Sequence, residues 1–136
     1  MLKLKKVIHF LFSHDEPTGS EVENSISEAD TYYLEAVQFE KLCHALKQRQ
    51  AEHFQIAQLE QQESYQRNAF WNYLSAATRG HAEAQYRLGK HFLKGSLGLD
   101  QNYFHAEEWL NKAKQQGHLK AARLLSNAYS QMSIQY

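Results

Sequence analysis

The chain has 136 residues, which is room for one domain or for three helical repeats with a short tail. Its 15 Lys and Arg are balanced by 15 Asp and Glu, so it lacks the basic excess with which proteins usually bind phosphate backbones, and we expect no nucleic-acid partner. The single cysteine excludes a disulfide-bridged secreted scaffold, and no apolar run approaches the roughly 18 residues needed to cross a bilayer.

The first residues differ in character from the rest. Residues 1–12 form a short basic segment whose apolar side chains fall at helical spacing, namely Leu4, Val7, Ile8, Leu11 and Phe12. Three interpretations fit: the segment docks on the repeats or on a partner, it makes weak contact with a membrane surface, or it acts as a signal peptide. The last is disfavoured because the apolar stretch is short and is interrupted by His9. Residues 13–30 are rich in Asp and Glu and predict an acidic flexible linker.

The second half of the chain repeats itself after 37 residues. Ala69, Tyr73, Ala76, Gly80 and His81 return as Ala106, Leu110, Ala113, Gly117 and His118. A fixed period of this size predicts an all-α fold, an α/α superhelix or short solenoid of about three antiparallel helix pairs. The repeat domain is predicted to cover 31–132, with units at about 31–67, 68–100 and 101–132 and a tail at 133–136.

The first of these units is predicted to be degenerate. Shifting the register back by one period places a first helix around 31–47, with an apolar stripe of Tyr32, Ala36, Phe39, Cys43 and Leu46. A second helix near 51–62 keeps apolar residues but departs from the register. A terminal unit is expected to be atypical because one of its faces meets water instead of a neighbour.

The last unit shows the helix signals best. Asn102 is a candidate N-cap, and Gly117 is expected to end the first helix of the unit in the left-handed conformation that glycine adopts without a Cβ penalty. Gly95 and Gly98 break the chain between the second and third units.

Two stretches resemble a known family. The run AEEWLNKAKQQGHLKA at 106–121 and the run AQYRLG at 84–89 resemble the Sel-one-like repeat, a relative of the tetratricopeptide repeat. The resemblance is strong over about 68–132 and faint over 31–67. It implies an α/α superhelix that serves as a scaffold or adaptor for protein complexes, often in bacteria. The chain departs from the family pattern at Asn72, where the better copy has Trp109, and at Ser126, which replaces a glycine.

Eight histidines raise the question of a metal site. His44, His81 and His118 lie one repeat apart, and each is predicted to begin the second helix of its unit. Equivalent atoms of stacked repeats are separated by about 10 Å, whereas zinc needs ligand nitrogens at about 2.0–2.1 Å from one point. We therefore expect no metal site.

The other candidates for chemistry favour structural roles. Cys43 falls in the apolar stripe, where a free cysteine behaves as a small core residue instead of a nucleophile. Glu107 and Glu108 are neighbours on one predicted helix and diverge, so they do not form an acid–base pair. No glycine-rich phosphate loop or nucleophile elbow is present, and we expect no cofactor and no catalytic residue.

In solenoids of helix pairs, the first helix of each pair lines the inner groove. Positions of those helices that lie off the packing stripe are our candidates for partner binding: Arg67, Asn68, Trp71, Asn72, Ser75, Phe104, His105, Glu108, Trp109 and Lys112. Tryptophan and arginine are typical of binding hot spots. The alternative is that Trp71 and Trp109 bridge neighbouring helices within the core.

The leading hypothesis is a non-catalytic scaffold or adaptor that binds a partner protein or peptide in the concave groove. The alternatives are a peripheral membrane adaptor recruited through residues 1–12, an inhibitor or immunity-type binder of one cognate protein, and an enzyme. We expect the protein to be cytoplasmic; a position at the inner membrane, or export if residues 1–12 act as a signal, are the alternatives.

Overall fold

The computed structural model describes residues 26–50 and 55–134. In these residues the chain forms α-helices and turns without any strand, and the helices are α1 (Glu28–Gln50), α2 (Ile56–Thr78), α3 (Ala82–Lys94), α4 (Tyr103–Gln115) and α5 (Leu119–Ile134). The predicted all-α fold is confirmed. The predicted segment 1–12, residues 13–25 of the predicted linker, and residues 51–54 and 135–136 lie outside the described residues.

The helices stack in chain order. Each helix packs on the next one along the chain, and α3 also contacts α5. Tight turns join α2 to α3 and α4 to α5, so the members of each pair run antiparallel. The result is the predicted short α/α solenoid, in which α1 packs on α2 as α3 packs on α4.

Two glycines end α2 and α4 with the same geometry. Gly80 has φ 88° and Gly117 has φ 84°, and the amide that follows each glycine donates at 3.1 Å to a carbonyl of the preceding helix. This left-handed closure satisfies carbonyls that the helix end would otherwise leave unpaired. The side chain of Asn102 accepts at 3.0 Å from the backbone N–H of His105. The predicted roles of Gly117 and Asn102 are therefore confirmed.

The first hairpin is longer than the sequence period suggests. Helices α1 and α2 have 23 residues each, whereas α3 and α4 have 13 each. The sequence analysis placed a unit boundary at 67–68, but α2 runs unbroken through it because the residues at 62–67 include no Gly or Pro. The prediction that His44 begins a second helix is wrong: His44 lies inside α1, since Cys43 stands where a glycine ends the other helices.

The extra turns of α1 and α2 pack against each other. The rings of Phe39 and Tyr65 lie with their centroids 6.2 Å apart, and Cys43 Sγ lies 3.9 Å from the carbonyl oxygen of Gln62. Cys43 is buried, which confirms its predicted place in the core. Burial also raises the pKa of its thiol, so the sulfur remains protonated and unreactive at neutral pH.

Small residues allow the helices to approach closely. Among the fully buried residues, three pairs of alanines recur at the repeat spacing: Ala69 and Ala106, Ala76 and Ala113, and Ala84 and Ala121. The closest approach is at Gly89 of α3, where an added Cβ would lie 2.7 Å from Leu110 Cγ and 3.1 Å from the Ala106 carbonyl oxygen. Glycine at this position therefore sets the spacing of α3 and α4.

A histidine at the start of α3 links that helix to α1, and a histidine at the start of α5 links it to α3. His81 caps α3: its Nδ1 accepts at 3.1 Å from the backbone N–H of Ala84, so the ring proton resides on Nε2. Nε2 lies 3.2 Å from the Asp30 carboxylate of α1. The ring also stacks on Tyr33 of α1, with centroids 4.5 Å apart. We call this arrangement the histidine clasp.

The same clasp recurs between α3 and α5. His118 Nδ1 accepts from the Ala121 N–H at 3.1 Å, Nε2 lies 2.6 Å from Glu83, and the ring stacks on Tyr86 with centroids 4.6 Å apart. Helix α1 therefore takes the place of a second helix, equivalent to α3, instead of the first-helix role that the shifted period gave it. On α5 the corresponding positions are Lys120 and Arg123, which have no acceptor to offer a further histidine.

Gly89→Ala tests the close approach of α3 and α4. Overpacking against Leu110 is expected to cost about 1–3 kcal/mol, and the higher helix propensity of alanine offsets about 1 kcal/mol of that, so the free energy of unfolding should fall by about 1 kcal/mol. The matched control is Ser126→Ala on α5, the equivalent but exposed position, where the propensity gain alone should raise stability by about 0.5 kcal/mol. Urea unfolding measures both. Stabilisation by Gly89→Ala would contradict the packing described.

Candidate functional site

The ten candidate partner-binding residues all lie on α2 and α4, but they do not share one environment. Eight of them are exposed or half-buried and form what we call the α2–α4 face: Arg67, Asn68, Trp71, Ser75, Phe104, His105, Glu108 and Lys112. Because each unit presents its first helix in the same way, this face continues from one unit to the next.

Asn72 and Trp109, the remaining two candidates, are buried. Trp109 is 9% exposed and belongs to the main core cluster, where it packs with residues of α1, α2 and α3. The amide of Asn72 donates at 2.9 Å to the carbonyl oxygen of Asn68 one turn earlier, which satisfies a polar group that α2 buries. The core-bridging interpretation therefore applies to Trp109, whereas Trp71 is 57% exposed.

Aromatic rings join the two halves of the face. The ring of Phe70 lies 5.3 Å from Trp71 on α2 and 6.3 Å from Phe92 on α3; Phe92 lies 5.1 Å from His105 on α4, which in turn lies 5.7 Å from Phe104. We call these five residues the aromatic strip. Its two ends reach solvent most, since Trp71 is 57% and Phe104 is 73% exposed. Contacts at these distances are within the range in which aromatic pairs stabilise one another.

Phe70 and Phe92 belong to this surface but were not predicted from the sequence as partner-binding candidates. Phe92 was assigned to the packing pattern of its helix, and Phe70 is equivalent to Glu107 in the next unit, so comparison of the repeats concealed it. The adjacent Phe70–Trp71 pair in the sequence is the signal that would have pointed to it.

The charges on the α2–α4 face are largely matched within α4. Lys112 Nζ lies 3.1 Å from Glu108 Oε1 and 4.5 Å from the centroid of the Trp109 ring, while His105 Nδ1 lies 3.9 Å from Glu108 Oε2. Exposed pairs of this kind contribute at most a few tenths of a kcal/mol to stability. Because these pairs balance the charges, the surface has no strong net charge, and its most distinctive feature is the exposed aromatic rings.

A half-buried polar cluster lies between α1, α2 and α3, beside the fully buried Tyr73. The hydroxyl of the fully buried Tyr73 donates to the Glu40 carboxylate, and Arg87 Nη1 lies 4.0 Å from the same group. His91 Nε2 lies 3.3 Å from Glu40 Oε1, although its N–H points off the ideal line, and His91 Nδ1 lies 2.8 Å from the Ser96 hydroxyl. Glu40 lies at the centre of these contacts, which join three helices.

Ionisation in this cluster is strongly perturbed. Burial works to raise the pKa of Glu40, but the nearby His91 ring and the hydrogen bond from Tyr73 outweigh it and lower that pKa to about 2. Burial, together with the bond to Glu40, raises the pKa of Tyr73 well above its usual range. Glu40 therefore remains an anion and Tyr73 a neutral donor across the physiological range, which is what a structural hydrogen bond requires.

Among the described residues, no group of three or more His, Cys, Asp or Glu side chains is arranged to hold a metal ion. His44 lies 3.1 Å from Gln48 on the surface of α1, apart from the two clasps that engage His81 and His118. No helix in the part of the chain that the structure describes has the length and apolar character required to span a membrane.

Helix pairs stacked in this way, with an exposed face built from corresponding helices, define a helical-repeat protein. The model of the Sel1 repeat family matches residues 61–81 and 82–118, so the chain carries Sel1 repeats, as the sequence resemblance implied. The second match spans α3 and α4 as one unit, in agreement with the equivalence of α1 and α3 in the two clasps. Sel1 repeats are commonly modules of protein–protein interaction. No curated protein and no solved structure matches the chain significantly.

Glu40→Gln is expected to reduce the loss of stability in acid. Because the folded-state pKa of Glu40 lies below its usual value of 4.5, its stabilisation is fully present above that value and is lost as the pH falls towards about 2. The carboxylate is partly solvated, so we expect a cost of about 1–2 kcal/mol at pH 7 that shrinks below pH 4. Urea unfolding of the wild type and the variant from pH 7 to pH 2.5 measures this difference.

The matched control is Glu107→Gln, which neutralises a carboxylate that accepts from the hydroxyl of Tyr129 on the surface. This variant should change stability by less than about 0.5 kcal/mol at any pH. If Glu40→Gln behaves in the same way, the buried cluster does not stabilise the fold as described.

Proposed function

We propose that the protein is a non-catalytic scaffold or adaptor that binds another protein, or a peptide segment of one, through the α2–α4 face. The observation that carries this proposal is the aromatic strip, whose ends expose Trp71 and Phe104 to solvent. Large exposed aromatic side chains cost solubility, and they are enriched at the centres of protein interfaces. The repeat family supports the coarser part of the proposal.

The chemistry of the face suits a partner that contributes apolar side chains. The strip is partly buried in the middle and exposed at both ends, so an apolar residue of the partner can cover each end while Phe70 and Phe92 hold the rings in place. Arg67 and Lys112 are exposed side chains on the same two helices and can pair with acidic or carbonyl groups at the rim. A few such anchors surrounded by polar contacts are the usual composition of a hot spot.

A non-catalytic role agrees with how the acidic groups are used. Glu108 pairs with Lys112, Glu107 accepts from Tyr129, and Glu83 accepts from His118, so each of these carboxylates has a structural partner. In Glu40 and Tyr73 the perturbed ionisation serves a hydrogen bond between helices, not a group that gains and loses protons near pH 7.

The test is capture of partners from the native cells with the full-length chain as bait, followed by quantitative mass spectrometry. A Trp71→Ala/Phe104→Ala double variant should lose the specific partner, because each truncation of a hot-spot aromatic costs about 1–2 kcal/mol or more, which is roughly tenfold or more in affinity per site. Both side chains are exposed, so circular dichroism should show an unchanged helical content.

The matched control is Ile56→Ala/Leu119→Ala, which also removes two large exposed apolar side chains, 72% and 79% exposed, but outside the α2–α4 face. The proposal expects this control to capture the same proteins as the wild type. Capture of an identical set by all three baits would mean that binding uses a different surface.

A further inference from the structure

The last unit contains an open apolar groove. A cavity of about 530 Å³ lies between α4, α5 and the end of α3, and its walls are mainly the apolar side chains of Leu93, Phe104, Leu110, Leu125, Ala128 and Met132. A second cavity of about 440 Å³ adjoins it and shares Leu93, Ala128 and Met132. We call the two together the end groove.

Comparison of the two units explains why this groove exists. One period earlier, the positions of Glu107, Leu110 and Ala128 are occupied by Phe70, Tyr73 and His91. Tyr73 is fully buried and His91 is 8% exposed, so the first of these units fills the corresponding space with its own side chains. The last unit has smaller or polar residues there, and the space remains open.

The loop after α3 adds one more side chain that the last unit lacks. Leu97 is buried in the core cluster with Tyr73 and Leu88, although it must adopt φ 61°, a conformation that is unfavourable for leucine. One period later, Ile134 stands at the end of α5 and is 85% exposed. Ile134 therefore does not supply the apolar contact that Leu97 makes one period earlier.

We propose that residues 1–12 of the same chain dock in the end groove through Ile8, Leu11 and their apolar neighbours. Leu4, Ile8 and Leu11 recur at i, i+4 and i+7, the spacing with which one face of a helix enters an apolar groove. As a helix, twelve residues are about 18 Å long, comparable with the three turns of α4 that border the groove.

The connection between the two is long enough. Helix α1 begins beside the start of α3, where Asp30 contacts His81. The groove lies near Leu93 at the other end of α3, about 18 Å away along the helix axis. It is also displaced sideways from α1 by about 20 Å, the width of two neighbouring helices. The separation to be spanned is thus about 27 Å. The 13 residues at 13–25 can extend to about 45 Å. A tether of this length gives the segment a local concentration in the millimolar range, so a weak contact suffices.

Charge supports the same placement. Residues 13–25 carry four carboxylates, and α5, which borders the groove, exposes Lys120 and Arg123. The three lysines at 3, 5 and 6 would then lie towards α4, where Glu107 borders the groove. The linker and α5, and the lysines and Glu107, thus offer charges of opposite sign, which favours this register over the reverse one.

The two methionines of the chain make the test direct. Met132 lines both cavities and Met1 heads the segment, so methyl NMR of methionine-labelled full-length protein gives one signal at the groove. With Ile and Leu methyls labelled as well, cross-peaks are expected between Met132 and Ile8 or Leu11. In an Ile8→Gln/Leu11→Gln variant those cross-peaks should vanish and the Met132 signal should shift. A His9→Gln variant, altered away from the face formed by Leu4, Ile8 and Leu11, should keep both.

A variant on the groove side gives an independent reading. Ala128→His introduces the side chain that occupies the equivalent position at His91, and it should displace the segment while thermal unfolding stays cooperative. Absence of the cross-peaks in the wild type would overturn the proposal. So would a Met132 signal that does not shift in the Ile8→Gln/Leu11→Gln variant. Cross-peaks that disappear on dilution would overturn it too, because a second copy would then supply the segment.

Discussion

Two histidines set the register of this stack, since each joins a helix N-terminus to the helix two steps earlier. One ring nitrogen of His81 and of His118 accepts from the first turn of its own helix, which leaves the proton on the other nitrogen, next to a carboxylate. The ring then stacks on a tyrosine one turn away from that carboxylate. The clasp thus fixes the position and rotation of each helix together with the tautomer of its histidine. As a result, α1, α3 and α5 run parallel along one side of the stack.

The surfaces of the molecule follow from that register. When α1, α3 and α5 are aligned, Phe92 of α3 bridges α2 and α4, so that rings from three helices meet in the aromatic strip. None of these helices could present the strip alone. The same alignment gives equivalent positions different neighbours, so that Phe70, Tyr73 and His91 close one unit while Glu107 and Ala128 leave the next one open. Repeats with similar sequences can therefore differ in how completely each unit is packed.

Glycine and asparagine signals predicted the helix ends of the last unit because those ends depend on local backbone geometry, as at Gly117 and Asn102. The first hairpin could not be predicted from a fixed period, since α1 and α2 are about ten residues longer than their counterparts and shift every correspondence before residue 67. The burial of Trp109 and the exposure of Trp71 could not be predicted from the sequence either. Whether a residue beside the packing stripe is buried depends on its neighbours on other helices. The assignments for residues 1–12 stay predictions.

Nitrogen NMR of the imidazole side chains tests whether the two clasps form as described, because ring-nitrogen shifts distinguish the two neutral tautomers. At neutral to slightly alkaline pH, the clasp requires His81 and His118 to hold the proton on Nε2 in a single tautomer, whereas the exposed His44 should average between forms. A proton on Nδ1 of either clasp histidine, or averaging like that of His44, would contradict the account. The helices could then stack, but this contact would not set their register.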